Sequence, residues 1–155
     1  VKELVRVRAI VQRVSEASVE VDGRVCGAVE NGFLVYLGVA HDDTEADVSY
    51  LADKVRHLRV FPDEAGRMNL DVNQAGGRVL VISAFTVQAD ARRGRRPTFE
   101  SAAPQDHAIV LYELFCDALL RSGLHIERGS FGDHMDVKSV NDGPICVLLD
   151  SRRTF

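Results

Sequence analysis

No stretch of the 155-residue chain approaches the roughly eighteen apolar residues that a membrane-spanning helix requires, so a membrane-embedded protein is not expected. Residues 1–8 carry charges where a secretory signal would have an apolar block, and a cytosolic address is the expectation. Cysteine is scarce: Cys26, Cys116 and Cys146 are an odd number, lack metal-ligand spacing and lie among apolar neighbours, where the residue packs as a small hydrophobe. Neither a disulfide framework nor a zinc site is indicated. Positive charge is not in excess either, since the net charge of −4 repels phosphates and argues against coating nucleic acid with bulk charge. Any RNA contact must be local.

The usual marks of side-chain catalysis are missing as well. The chain has no G-x-S-x-G elbow, H-E-x-x-H pair, Walker loop or dinucleotide fingerprint. Its five histidines are scattered, and His57 and His107 fall in segments with helical periodicity, where a packing or surface role is the safer reading. Asp133-His134-Met135-Asp136 cannot converge on one metal if it is extended, because alternate residues of a strand point to opposite faces. No metal and no cofactor are expected.

What the sequence does contain is a clear alternation of elements. Residues 8–21 are rich in Val and Ile, and Asp22-Gly23 supplies the left-handed turn of a tight hairpin before a second strand over 24–28. The apolar run 32–40 is short and aromatic enough for a buried strand at the centre of a sheet. From Thr44 the period changes: Val48, Leu51, Ala52, Val55 and Leu58 recur at helical steps, with Asp43 or Thr44 placed to cap. Residues 63–77 predict a loop or irregular hairpin, and 78–87 a strand. A second helix is expected from Pro104 to about Ser122, stopped by Gly123. Short strands follow at 125–128, 135–140 and 145–149, separated by turns. The sum is a single α+β domain over 8–155: a mostly antiparallel β-sheet curled into a barrel-like core, with two main helices. Residues 1–7 read as an N-terminal extension.

Three segments stand out. Arg92, Arg93, Arg95 and Arg96 fall within five positions around Gly94, in a long connection over 88–103. Such a cluster is a solvated loop or a phosphate-contacting one. Ser83-Ala84-Phe85-Thr86 ends a strand in small polar residues just before that loop, where a substrate can meet backbone N–H groups; a satisfied strand edge reads equally well. Asn141-Asp142-Gly143-Pro144 is either a hairpin turn or the site of a special Gly-Pro peptide bond.

Taken in order, these segments resemble the D-aminoacyl-tRNA deacylase family over residues 8–151. The resemblance rests on five blocks: residues 8–17 (RAIVQRVSEA), 37–44 (LGVAHDDT), 54–61 (KVRHLRVF), Gly94-Arg95-Arg96-Pro97 and Asn141-Asp142-Gly143-Pro144. It implies an enzyme that hydrolyses the ester of D-aminoacyl-tRNA, and glycyl-tRNA too, because glycine has no side chain to reject. It also implies a homodimer with active sites at the subunit interface. Each subunit would lend Gly143-Pro144 to its partner's pocket, with a cis bond that turns consecutive carbonyls to one side to grip the substrate's α-ammonium group while main-chain atoms exclude L side chains. The catalytic half would be Ser83, Phe85 and Thr86, with backbone N–H groups near Phe85 and Thr86 holding the oxyanion as water attacks. Phe131 would stack on the terminal adenine, Met135 would line the pocket and Arg13 would brace the partner's Gly-Pro loop, while Arg92, Arg93, Arg95 and Arg96 would meet tRNA phosphates. Two residues depart from the pattern: Ala84 stands where the family has Gln, and Cys146 where it has Thr. Both remove polar side chains, and a lost neutral hydrogen bond is worth about 0.5–1.5 kcal/mol. The alternative is a nucleic-acid-binding module of the same fold with weak or altered activity.

Overall fold

The first hairpin forms where Asp22-Gly23 predicts it, joining β1 (Arg8–Val21) to β2 (Arg24–Val29), with Asp22 at φ 50°. The computed structural model describes residues 7–155. Of the expected extension, residues 1–6 lie outside the described residues, while Val7 is buried in the main core and its N–H donates to the Asp43 carboxylate at 2.8 Å.

β3 (Gly32–Gly38) runs antiparallel to β1 on one side and parallel to β6 (Arg78–Ser83) on the other, and β6 pairs in parallel with β7 (Ile126–Arg128). The pairing is therefore mixed, with two parallel pairs that the expectation of a mostly antiparallel sheet did not specify. Strand periodicity reports which face is buried and carries no information on the direction of the neighbour. The sheet nearly closes on itself: a Cβ added to Gly27 in β2 would lie 2.5 Å from the Arg128 carbonyl oxygen in β7. Between β3 and β6 lie α1 (Glu45–His57) and the small ladder of β4 (Phe61–Pro62) with β5 (Met68–Leu70); between β6 and β7 lies α2 (Gln105–Arg121).

Alternation divides the core in two. Phe33, Val35 and Leu37 of β3 join Val79 and Val81 of β6 beneath the helices, where they meet Leu51, Val55, Phe115 and Leu119. Leu34, Leu80 and Ile82 point the other way and pack with Val14, Ala17 and Val19 inside the curl of the sheet. Thr44 is the helix N-cap of α1, and the Asp47 carboxylate accepts its backbone N–H at 2.9 Å. Among the described residues, no helix is long and apolar enough to cross a membrane.

Two expected elements differ. The strand over 78–87 stops at Ser83 and gives way to one 3-10 turn, Phe85–Gln88. The two strands expected over 135–140 and 145–149 are one, β8 (Asp136–Asp150), so Asn141–Pro144 is not a hairpin turn. Both halves of β8 pair antiparallel with the same strand, β1, with Val140 opposite Glu16 and Cys146 opposite Gln12. Six steps of β8 thus face four of β1, and the excess bulges outward around Gly143-Pro144.

Candidate active site

The turn after β6 is what makes its end unusual. The Ala84 N–H donates to the Leu37 carbonyl at 2.9 Å and keeps the chain in the sheet for one more residue. Val87 N–H then donates to the Ala84 carbonyl at 3.1 Å and Ala89 N–H to the Thr86 carbonyl at 3.0 Å. A helical turn leaves its first donors without a carbonyl in the turn, and here those donors are the Phe85 and Thr86 N–H groups. Among the described residues, no backbone carbonyl accepts from either. The turn can sit this low on the sheet because residue 38 is glycine: a Cβ there would lie 2.8 Å from the Val87 Cβ and 3.1 Å from the Ala84 carbonyl oxygen. Ser83 is half-buried beside the turn, Thr86 is exposed, and the exposed Phe85 ring rests edge-on against Phe99, with centroids 5.2 Å apart.

The arginine cluster caps a second small construction. Asp90 and Thr98 exchange both backbone hydrogen bonds at 2.8 Å, so the long connection over 88–103 is pinched into a tip that carries the arginines. Arg92 is committed to this scaffold, since its Nε donates to the Asp90 carboxylate at 3.0 Å and its Nη2 at 2.9 Å. Those bonds, from Arg92 side chain and backbone, hold the Asp90 carboxyl down at about 2. Arg93, Arg95 and Arg96 are exposed around Gly94, and no carboxylate pairs with them among the described residues. The return arm of the tip is tied to the end of β3, with His41 N–H on the Ser101 carbonyl at 3.0 Å and Ala103 N–H on the Val39 carbonyl at 2.9 Å.

Met135 and Phe131 reach the same end of β6 from the segment between β7 and β8. Gly129 N–H donates to the Val81 carbonyl at 3.1 Å, and the Met135 sulfur lies 2.9 Å from where a Gly129 Cβ would be, over Ile82. Phe131 packs on Tyr112, whose hydroxyl donates to the Val81 carbonyl at 2.8 Å, and its other side lines an open depression with Gln105, Asp106 and Ile109. In Asp133-His134-Met135-Asp136, the Asp133 carboxylate accepts from the Ser130 hydroxyl, and no group of three or more His, Cys, Asp or Glu is placed to hold a metal among the described residues. Cys116 lies on the buried face of α2, and burial pushes its thiol up to about 11.

Gly143-Pro144 is the remaining element. The bond is cis, and both residues are exposed on the bulge of β8. Arg13, only 11% exposed, fixes the bulge by donating from Nε to the Asp142 carbonyl at 3.0 Å and from Nη1 to the Val60 carbonyl at 2.6 Å; the Asp142 carboxylate lies 3.2 Å from Nε. The Asn141 side chain accepts the Ile145 N–H at 2.8 Å. The resemblance gives Arg13 to a partner's Gly-Pro loop, yet within the chain it holds its own.

The chain does not bring its two halves together. Ser83 stands opposite Leu37 and Leu37 opposite Ala9, whereas the bulge is attached to Arg13, four residues along β1 and one strand further out. At about 4.8 Å per strand and 3.3 Å per residue, the separation is on the order of 15–20 Å. Sequence reasoning missed Gln88, Phe99 and Asp90 as parts of these sites, and it had Asp142 only as a member of the Gly-Pro segment. The one available signal was Gln88, a polar residue directly after the apolar run 78–87.

Known proteins agree with this arrangement of elements. The family model described as D-Tyr-tRNA(Tyr) deacylase matches residues 10–150. The chain belongs to this family. It is 56% identical to the D-aminoacyl-tRNA deacylase of Anaeromyxobacter dehalogenans over 148 residues, 96% of this chain and 99% of that one. It is 53% identical to the D-aminoacyl-tRNA deacylase of Thermus aquaticus over 144 residues, 93% of this chain and 95% of the relative. A solved structure described as c-Myc DNA Unwinding Element Binding Protein superposes with a TM-score of 0.87 at 35% identity, covering 92% of this chain and 97% of that chain. The chain is thus a hydrolase of the deacylase family, and its fold is shared by a relative described as binding DNA.

Proposed function

We propose that the protein hydrolyses the ester of D-aminoacyl-tRNA at a site assembled from two copies of the chain. One copy contributes the Phe85 and Thr86 N–H groups, with Ser83 alongside; the other contributes Gly143-Pro144. The observation that carries this reading is the separation of the two elements within one chain, combined with their exposure. An aminoacyl ester is far too small to touch both in a single subunit. The bulge lies on β8, whose only strand partner among the described residues is β1, and Val140 and Leu148 of β8 are about half exposed, which suits a covered interface.

In this reading water attacks the ester carbon, and the carbonyl electrons move onto oxygen, where the two amides hold them. Collapse of the tetrahedral species breaks the bond to the ribose oxygen of the terminal adenosine, which takes up a proton, and free D-amino acid leaves. A single oxyanion donor is worth about 10²–10³ in rate. The ester is already activated, so this and orientation suffice without a nucleophilic side chain. With the α-ammonium group held by the Gly-Pro element, an L side chain meets main-chain atoms, a D side chain points outward, and glycine passes. Phe131 offers its face to the terminal adenine, Met135 lines the pocket, and the arginine tip meets backbone phosphate. The setting is the cytosol, where charged tRNA is found.

The test is hydrolysis of D-Tyr-tRNA, L-Tyr-tRNA and glycyl-tRNA by the purified protein. Release from the D and glycyl substrates with the L substrate intact is expected. Equal rates on D and L remove the Gly-Pro filter, and inertness toward all three removes the activity. A second reading, a nucleic-acid-binding module with little turnover, draws on the exposed Arg93, Arg95 and Arg96 and on the DNA-binding description of the 35% identical relative. Tight binding of uncharged tRNA or DNA by a protein that releases no amino acid would favour it.

A further inference from the structure

Beneath the exposed amides of the 3-10 turn lies a buried glutamine. Gln88 is 1% exposed, and its Nε2 donates to the Gly38 carbonyl at 2.8 Å. Its own backbone carbonyl accepts the Ser101 hydroxyl at 3.0 Å, and the Ser101 carbonyl in turn accepts the His41 N–H at 3.0 Å. One residue therefore bonds the last residue of the turn to the end of β3 on one side and to the return arm of the arginine tip on the other. An apolar side chain would fill the same space, so packing does not account for an amide here; what the amide adds is the Nε2 donor to the buried Gly38 carbonyl. The chain also lacks an amide at residue 84, having Ala there, and Gln88 is the amide-bearing side chain that the turn does carry.

We infer that Gln88 is a positioning residue for the reaction: through the Gly38 carbonyl it fixes the pitch of the turn and so the aim of the Phe85 and Thr86 N–H groups. It touches no substrate. The inference rests on the proposal that those two amides hold the oxyanion, and it adds which side chain keeps them preorganised.

The experiment compares the parent with Gln88→Leu and Gln88→Glu, measuring single-turnover hydrolysis of D-Tyr-tRNA and, separately, the Kd for uncharged tRNA. Gln88→Leu removes the donor at nearly constant volume. The expected result is a fall in rate of roughly 10- to 100-fold, the size of leaving a buried carbonyl without its donor, with Kd within twofold. In Gln88→Glu a buried carboxyl titrates above its usual range, and only its protonated form can donate to the Gly38 carbonyl. Its rate relative to the parent is therefore expected to rise as pH is lowered from 8 to 5, a readout that a purely structural role does not move. A Gln88→Leu rate within twofold of the parent overturns the inference. So does a flat Gln88→Glu ratio across pH, and that ratio decides alone if Gln88→Leu does not fold. An active parent with unaffected variants rejects the role of Gln88 only, whereas a parent inert toward D-Tyr-tRNA takes the inference down with the function it rests on.

Discussion

The end of β6 is enclosed. Its last residues pair with β3, its turn is seated against Gly38, and a buried Gln88 and the Ser101–His41 tie hold it from beneath. β8 presents the opposite case: among the described residues it pairs with β1 alone, leaves Val140 and Leu148 about half exposed, and carries Gly143-Pro144 outward on a bulge that Arg13 pins from behind. The first region completes its geometry with residues of its own chain. The second is equally well fixed in shape but faces away from everything the chain can offer it. On the proposed function, the contrast separates catalysis from selection. In that reading the Phe85 and Thr86 donors are preorganised where the fold is most constrained, and Gly143-Pro144 is held ready for a neighbour.

The enclosed region is broken most severely by Gly38→Val. The new Cβ would lie 2.8 Å from the Val87 Cβ, and the turn must move. Steady-state kinetics should show a loss of kcat of about 100-fold or more, and denaturation a loss of roughly 1–3 kcal/mol. Retained activity would mean that the amides of this turn are not the oxyanion site. On the exposed side, Arg13→Met removes donors to the Asp142 and Val60 carbonyls. The expected cost in urea unfolding is about 1–2 kcal/mol, below the full value of charged hydrogen bonds because Asp142 is half exposed. The ratio of D to L hydrolysis should shrink more than the D rate itself, and an unchanged ratio would break the bracing role.

Much of the contrast could be read from the chain before its structure, and the parts that could not have physical causes. The Asp22-Gly23 hairpin, the two helices and the buried β3 follow from local chemistry and periodicity. The single long β8 does not, because Asn141-Asp142-Gly143-Pro144 has the composition of a turn, and only pairing of both halves with β1 makes it a bulge. Nor does the end of β6: Val87 continues the apolar run, but its partner is Gly38 below a 3-10 turn and not a strand neighbour. Parallel pairing of β3 with β6 and of β6 with β7 is invisible to a period of two. The arginine cluster was legible as charge, but not the fact that Arg92 is tied to Asp90 while the others are not.

That last difference gives two smaller effects. Replacing Arg95 and Arg96 with Ala should weaken tRNA binding several-fold and make the slope of log K against log salt shallower by about 1–2; Arg92→Ala should change it less. Equal effects would mean that the Asp90 tie does not hold Arg92 back from phosphate. The smallest effect is in acid. Because the folded Asp90 carboxyl is held at about 2, against a usual value near 3.8, its contribution is complete above the usual value and is lost as pH falls through about 2. Carboxyl chemical shifts should report a midpoint near 2, and one near 3.8 would show that the tip is untied in solution.

The claim that the two regions complete each other across a subunit boundary is tested most directly by mixing two inactive proteins. Thr86→Pro removes one of the turn amides, and Gly143→Val places side-chain atoms against the Ile145 backbone nitrogen, 2.6 Å from the added Cβ. Each alone should hydrolyse D-Tyr-tRNA at least about 100-fold more slowly than the parent. After subunit exchange, the mixture should recover about a quarter of parent activity, the statistical yield of mixed dimers with one intact site each. A mixture as inactive as its components would contradict the account.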